Sequence, residues 1–266
     1  MDPARTYRDG VAAGGDELQA LALASYGHFT SLQLRGGRAP GIDLHLRRLR
    51  EANRELFGAG LDAEAVRGEV RAALAADGAA DCSLRLVVHA PGYDPASPDA
   101  AEPRMLVTVS PPADPPTGLV RVKSFRYERV APHLKHLGTF PLRWHRRLAA
   151  QAGFDDALFV DGNGRVSEGS TWNVGFLDGQ RVVWPQAPAL RGTQVQLLQA
   201  GLDALGVPQE VRELRLEALD GFSGAFACNS RGSWLLAGLD GIDWRPDPAA
   251  VGLLARALAV HPSEAF

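Results

Sequence analysis

The chain has 266 residues, 45% of them apolar, and a formal net charge of −3, which leaves room for a substantial core and gives no electrostatic reason to expect nucleic acid as a partner. Its two cysteines, Cys82 and Cys228, lie far apart in apolar surroundings and read as buried hydrophobes, and the histidines show no HExxH-type spacing, so neither a disulfide framework nor a metal site is expected. No run reaches the roughly 18 apolar residues of a membrane span, and residues 1–5 open no leader, so a cytoplasmic protein without membrane contact is expected.

Residues 26–34 alternate well enough for a strand ahead of the Gly36-Gly37 turn, with Phe29, Ser31 and Gln33 on one face that would line a pocket. Asp43 is placed to cap a helix over 44–57, with Leu46, Leu49, Leu56 and Phe57 as its apolar stripe and Gly58 as its stop. Arg47, Arg50 and Arg54 fall on the solvated face. Arg48 stands beside the stripe and is able to turn inward, where a guanidinium wants a bidentate anion such as phosphate. A second helix is expected over 62–76, with strands over 83–89 and 105–110. The stretch Pro111-Pro112-Ala113-Asp114-Pro115-Pro116 cannot join a sheet, so it is read as the connection between a domain of residues 1–116 and one of 117–266.

The second half opens with a strand over 120–125 and then carries one of the chain's two lysines. Of 28 basic residues only Lys123 and Lys135 are lysine. Arginine cannot lose its proton near neutral pH or form a Schiff base, so a lysine in an arginine-dominated chain is a candidate for amine chemistry. A helix over 142–152 ends at Gly153. The apolar run after it stops at Asp161-Gly162-Asn163-Gly164, a hairpin turn, and the chain returns with Glu168 among small neighbours. A strand follows over 181–184. The helix opening at Gly192-Thr193-Gln194 offers unpaired backbone N–H groups, a ready anion seat. A strand over 225–228 ends in the donor-rich turn Asn229-Ser230-Arg231-Gly232, and a helix over 249–260 closes the chain.

A lysine, a carboxylate past a hairpin, an inward arginine, a helix N-terminus and a hydroxyl-bearing turn are together what pyridoxal phosphate calls for. The wording resembles the class IV (fold type IV) pyridoxal-phosphate enzymes, which include branched-chain aminotransferase, D-amino acid aminotransferase and aminodeoxychorismate lyase. The resemblance runs from about Gly27 to Ser230. It rests on HxxRL at 45–49, Lys135, (F/A)DxALxxD at 154–161, the phrase from Glu168 to Asn173, and LxG at 190–192. It implies an α+β fold of two domains, a smaller N-terminal α/β domain and a larger, pseudo-barrel-like C-terminal one that binds pyridoxal 5'-phosphate. In it Lys135 would form the Schiff base and shuttle the proton, and Glu168 would pair with the pyridine nitrogen. Arg48 would grip the phosphate with Thr193, Gln194, Asn229 and Ser230, and Leu190 would pack on the ring. Phe29, Thr30 and Gln33 are the candidates for substrate contact.

The activity so implied is transfer of an amino group from an amino acid or amine to a 2-oxo acid, in a homodimer. Two alternatives stand beside it: a lyase expelling pyruvate from aminodeoxychorismate, for which Thr30 would offer a hydroxyl, and a catalytically silent binding protein. The chain departs from the family's usual wording in four places. Gly192-Thr193-Gln194 shifts the hydroxyl by one position from the usual Gly-(Ile/Val)-Thr. Phe140 stands where branched-chain enzymes place a tyrosine, which argues against that subgroup. Gly175 is expected to open space near the cofactor. The Asp-Arg-Gly/Ala phrase near the N-terminus is missing.

Overall fold

Alternating apolar residues before the proline-rich stretch and hairpin signals after it build two different sheets. The computed structural model describes residues 4–97 and 101–266. Residues 1–3, which open the stretch expected to carry no leader, lie outside the described residues. The chain divides into two compact units: Met1–Ala113 with Leu134–Gly138 and Ser263–Phe266, and Asp114–His133 with Thr139–Pro262. The first break falls inside the proline-rich stretch, and the short segment carrying Lys135 belongs to the first unit although it follows that stretch in sequence.

The first unit contains β1 (Arg5–Arg8), β2 (Val11–Ala12), α1 (Gly15–Leu23), β3 (Gly27–Leu34), β4 (Arg38–Pro40), α2 (Ile42–Phe57), α3 (Ala63–Asp77), β5 (Cys82–His89) and β6 (Arg104–Ser110). Its sheet runs in the order β2-β1-β6-β5-β3, antiparallel throughout. Leu32, Leu34, Leu84 and Leu86 from the sheet pack on Ile42, Leu46 and Leu49 of α2 and on Val66 and Val70 of α3. The strand Ser263–Ala265 pairs with β4.

Asp43 is not the cap of α2. The chain enters that helix through Gly41, in the left-handed conformation (φ 69°), so that Ile42 is buried at once; Asp43 sits inside the first turn and binds Arg67 Nη2 at 2.8 Å. Asp62 does cap α3, accepting from Ala65 N at 2.7 Å. Sequence patterning gave no sign of β1, β2 or α1. The first buries only Tyr7, and α1 buries nothing, so neither carries a periodic apolar stripe.

The second unit contains β7 (Val120–Arg126), α4 (Phe140–Gln151), β8 (Asp156–Val160), β9 (Val166–Gly169), β10 (Asn173–Asp178), β11 (Arg181–Pro185), α5 (Thr193–Ala204), β12 (Gln209–Arg212), β13 (Gly224–Asn229), β14 (Gly232–Leu239), β15 (Ile242–Asp243) and α6 (Ala249–Ala259). The sheet order is β12-β11-β10-β13-β14-β7-β8-β9, with β15 on β14. The pairs β11–β12, β14–β7 and β7–β8 are parallel and the others antiparallel. One set of apolar side chains gathers Phe176, Phe222, Trp234 and Trp244; another packs Trp184 and Phe226 with Leu198 and Leu202 of α5 and Leu254 of α6. At Gly201 a Cβ would lie 1.9 Å from the Ala257 carbonyl oxygen, so glycine lets α5 and α6 approach backbone to backbone.

Candidate active site

In the first unit the sequence candidates meet around β3. The segment Leu134–Gly138 runs along this strand: Phe29 N donates to Lys135 O at 2.9 Å and Leu137 N to Gly27 O at 3.0 Å. The Nζ of Lys135 stands 4.8 Å from the centroid of the Phe29 ring, and the Arg85 guanidinium 3.7 Å from it. Thr30, on the other face of the strand, is fully buried against α2. Its hydroxyl lies 2.7 Å from His45 Nδ1 and also accepts from Arg48 Nη2. Arg48 Nη2 also lies 3.4 Å from the same Nδ1, and a guanidinium only donates, so Nδ1 is the acceptor and His45 is the neutral tautomer with hydrogen on Nε2. Burial, then the charges of Arg48 and Lys135, hold His45 well below its ordinary pKa, which agrees.

Arg48 does turn inward, while Arg47, Arg50 and Arg54 are exposed as expected. Burial lowers its pKa to about 10, so it stays charged at neutral pH, and its Nε is buried without a hydrogen-bond partner. Among the described residues no carboxylate pairs with it. A partly buried guanidinium without an acid paired to it fits an anion such as a phosphate group. Gln33 is placed differently: its Oε1 accepts from Ser83 Oγ at 2.8 Å and Ala113 N at 2.9 Å, fastening the chain where it leaves β6. Four residues beyond Phe29 on the strand, it lies about 13 Å away. Phe29, Thr30 and Gln33 therefore do not converge.

In the second unit the hairpin turn is built on Asp161. Its buried carboxylate accepts from Asn163 N, Arg165 N and Arg165 Nε at 2.7–2.9 Å; burial raises its pKa, but these partners outweigh it and hold the group below the usual carboxylate range. Glu168, near the end of β9, is buried, and Arg129 Nε donates to its Oε1 at 2.9 Å. The next turn is tight. Gly169 N donates to Trp172 O at 2.8 Å, and a Cβ at Gly169 would fall 2.0 Å from the indole ring. Ser170 Oγ and Trp172 Nε1 are buried without partners.

Asn173 ties two of the sequence phrases together. Its Nδ2 donates to Leu190 O at 2.8 Å, and its Oδ1 lies 2.3 Å from where a Cβ on Gly192 would be, so the phrase ending at Asn173 and the one beginning at Leu190 need each other. Thr193 opens α5 and is buried, with Gln194 partly exposed after it. Asn229 and Ser230 form the β13–β14 turn; Asn229 donates to Thr171 O at 3.2 Å and accepts from Arg231 N at 2.9 Å. Gly175 opens no space. The ring of Phe226 fills the position, 2.3 Å from where a Cβ would stand. Phe140 is exposed at the start of α4, stacked on Trp144. Cys82 and Cys228 are both free and buried. Among the described residues there is no His/Cys/Asp/Glu cluster fit for a metal, and no helix is long and apolar enough to cross a membrane.

Arg129 was not legible as a site residue. It follows Tyr127-Glu128 in a stretch without periodicity, and only the fold shows its guanidinium buried against Glu168.

The fold is that of the fold type IV pyridoxal-phosphate enzymes, mixed helices and strands in two units. The chain belongs to the amino-transferase class IV family, whose model matches residues 27–235. Among similar solved structures is the 4-amino-4-deoxychorismate lyase from Pseudomonas aeruginosa, 26% identical over 94% of this chain and 97% of that one, with a TM-score of 0.80. A hypothetical aminotransferase from Mycobacterium tuberculosis in its PLP-bound form is 24% identical over 97% and 99%, at 0.79. The branched-chain aminotransferase from the archaeon Thermoproteus uzoniensis with norvaline is 18% identical over 95% and 93%, at 0.81. No curated protein matches the chain.

Proposed function

We propose that this chain is a pyridoxal-phosphate-dependent aminotransferase that moves an amino group from an amino acid or amine to a 2-oxo acid, acting as a homodimer in the cytoplasm. The observation that carries the reading is Arg48: an inward, partly buried and charged guanidinium with a buried, unused Nε and, among the described residues, no carboxylate paired with it, suited to the phosphate. When bound, the cofactor supplies an aldehyde that condenses with amines and a ring that draws off the electrons released when a bond to the substrate's α-carbon breaks.

The chain's own residues have these roles in the proposal. Lys135 Nζ anchors the group and, uncharged, takes the proton from the substrate's α-carbon and returns it. Glu168, kept anionic, supplies the counter-charge to the pyridine nitrogen. Arg48 would hold the phosphate, and the backbone N–H groups at Thr193 and Gln194 and the Asn229–Ser230 turn would supply further donors to it. Leu190 would pack on the ring. Phe29, next to Lys135 Nζ, is the substrate-side contact; Thr30 acts on Arg48, and Gln33 holds the chain after β6.

The 26% identity to a 4-amino-4-deoxychorismate lyase favours a second reading, pyruvate elimination from aminodeoxychorismate. Against it, the Thr30 hydroxyl is engaged by both Arg48 and His45 and is not available as a proton donor to substrate. A screen of amino donors against cofactor-loaded protein tests the proposal. Donor-dependent conversion to the pyridoxamine form, reversed by a 2-oxo acid and absent in Lys135→Ala, supports transamination. Release of an aromatic amine from aminodeoxychorismate without any such conversion sinks it in favour of the lyase. Neither reaction, with no cofactor uptake, leaves the silent binding protein.

A further inference from the structure

The ion pair of Arg129 and Glu168 is among the most deeply buried in the protein, with side-chain exposures of 4% and 5% and an Nε–Oε1 distance of 2.9 Å. Stability alone does not account for it. Two charges taken out of water repay their desolvation poorly, and an apolar pair of similar volume is often as good or better. What the pair does provide is a carboxylate that stays ionised in a dry environment with its direction fixed.

The backbone at Glu168 is already held, because Gly169 pairs with Leu158 of β8 and donates to Trp172 O. The side chain still has rotamers to choose from, and the hydrogen bond from Arg129 Nε favours one. Tyr127, two residues before Arg129, packs edge-on to Phe159 of β8 and beside His145 of α4. Its pKa is raised, by burial first, with Arg129 opposing and Glu168 adding to the rise, so the phenol stays neutral near both charges. The neighbouring buried carboxylates have arginines of their own: Asp156 with Arg146 at 3.5 Å and Asp161 with Arg165 at 2.7 Å. Each acid on this hairpin thus has a separate cation, and the one given to Glu168 is the most buried of the three.

We propose that Arg129 is a positioning residue, which keeps Glu168 anionic and aimed in one direction so that it serves the pyridine nitrogen as a fixed counter-charge. This rests on the cofactor role of Glu168 proposed above. Arg129 touches neither substrate nor cofactor in this account; it acts through the acid.

The test uses the full chain, cofactor-free and cofactor-loaded, as wild type, Arg129→Gln, Arg129→Lys and Arg129→Gln with Glu168→Gln. In the cofactor-free protein, infrared titration of the band of a neutral carboxylic acid reads Glu168 directly, with the double variant assigning the band. Loss of an adjacent arginine raises a carboxyl titration by about one to three pH units, so Arg129→Gln is expected to show that shift and the double variant to lose the band. In the loaded protein, Arg129→Gln is expected to change the pH dependence of cofactor absorbance and to bind pyridoxal 5'-phosphate at least about tenfold more weakly. An unshifted carboxyl titration in Arg129→Gln overturns the proposal.

Should that variant not fold, Arg129→Lys decides. A single ammonium keeps the acid ionised but not its direction, so a changed absorbance profile is expected, and a profile and affinity equal to wild type overturn the proposal. A shifted acid in a chain that takes up no cofactor would leave Arg129 in place and refute the enzyme reading instead.

Discussion

Replacing Arg48 by methionine separates function from stability. The folded guanidinium titrates at about 10 against an ordinary 12.5 because burial disfavours its charge. At about 1.4 kcal/mol per pH unit, keeping it charged costs the fold about 3 kcal/mol. The unfolded side chain keeps its proton up to its ordinary value and the folded one only up to about 10. The cost is therefore complete at neutral pH and is relieved only as pH rises above about 10. Offsetting it is one charge-assisted bond to Thr30, worth about 1.5–3 kcal/mol. Methionine removes both and keeps most of the volume, while Thr30 retains its bond to His45. Cofactor-free Arg48→Met is expected to be between equal in stability to wild type and about 2 kcal/mol more stable. Its affinity for pyridoxal 5'-phosphate should fall at least about tenfold, since a charge-assisted bond to an anion is lost. Urea denaturation of the cofactor-free proteins and calorimetric titration with the cofactor read the two quantities. A cofactor-free variant less stable by more than about 1 kcal/mol, or one with undiminished affinity, would make Arg48 a structural strut and refute the argument.

Burial lowers the pKa of His45 well below its ordinary 6.5 and that of His28 to about 4, so the folded state keeps both neutral while the unfolded chain takes up protons below about pH 6.5. Stability is full above that pH and is lost as pH falls, by up to about 1.4 kcal/mol per pH unit for each histidine; urea midpoints across pH 4–7 should show a slope that is smaller by one histidine's share in His45→Asn. Gly192→Ala would drive a methyl into Asn173 Oδ1 and cost the Asn173–Leu190 bond, roughly 1–3 kcal/mol for the buried groups left unpaired. Thermal melting and cofactor retention should both fall, and a variant that melts like wild type would show that Asn173 has room to move.

Much of the fold was legible because its signals are local. The stripe of α2, its Gly58 stop and the Asp161–Gly164 turn each act over a few residues, and the structure keeps them. The elements missed have weak local signals: α1 buries nothing, and β14 reads as a continuous apolar run rather than an alternation. Of the site, lysine scarcity and the phrases around Glu168 and Leu190 singled out the candidate residue types. They did not reveal that Asn173 binds those phrases to each other, or that Phe226 occupies the gap at Gly175.

By itself the sequence determined which side chains are able to do amine and anion chemistry, since ionisation, donor count and reach belong to the residue type. Only the tertiary structure decided what each one meets. Thr30 and Phe29 are adjacent in the chain, yet the pleat sends one to Arg48 and the other to Lys135, while Arg129 and Glu168 are far apart in sequence and are hydrogen-bonded. Burial and partnership, which set charge state and direction, come from strands and segments distant in sequence, and no local pattern encodes them.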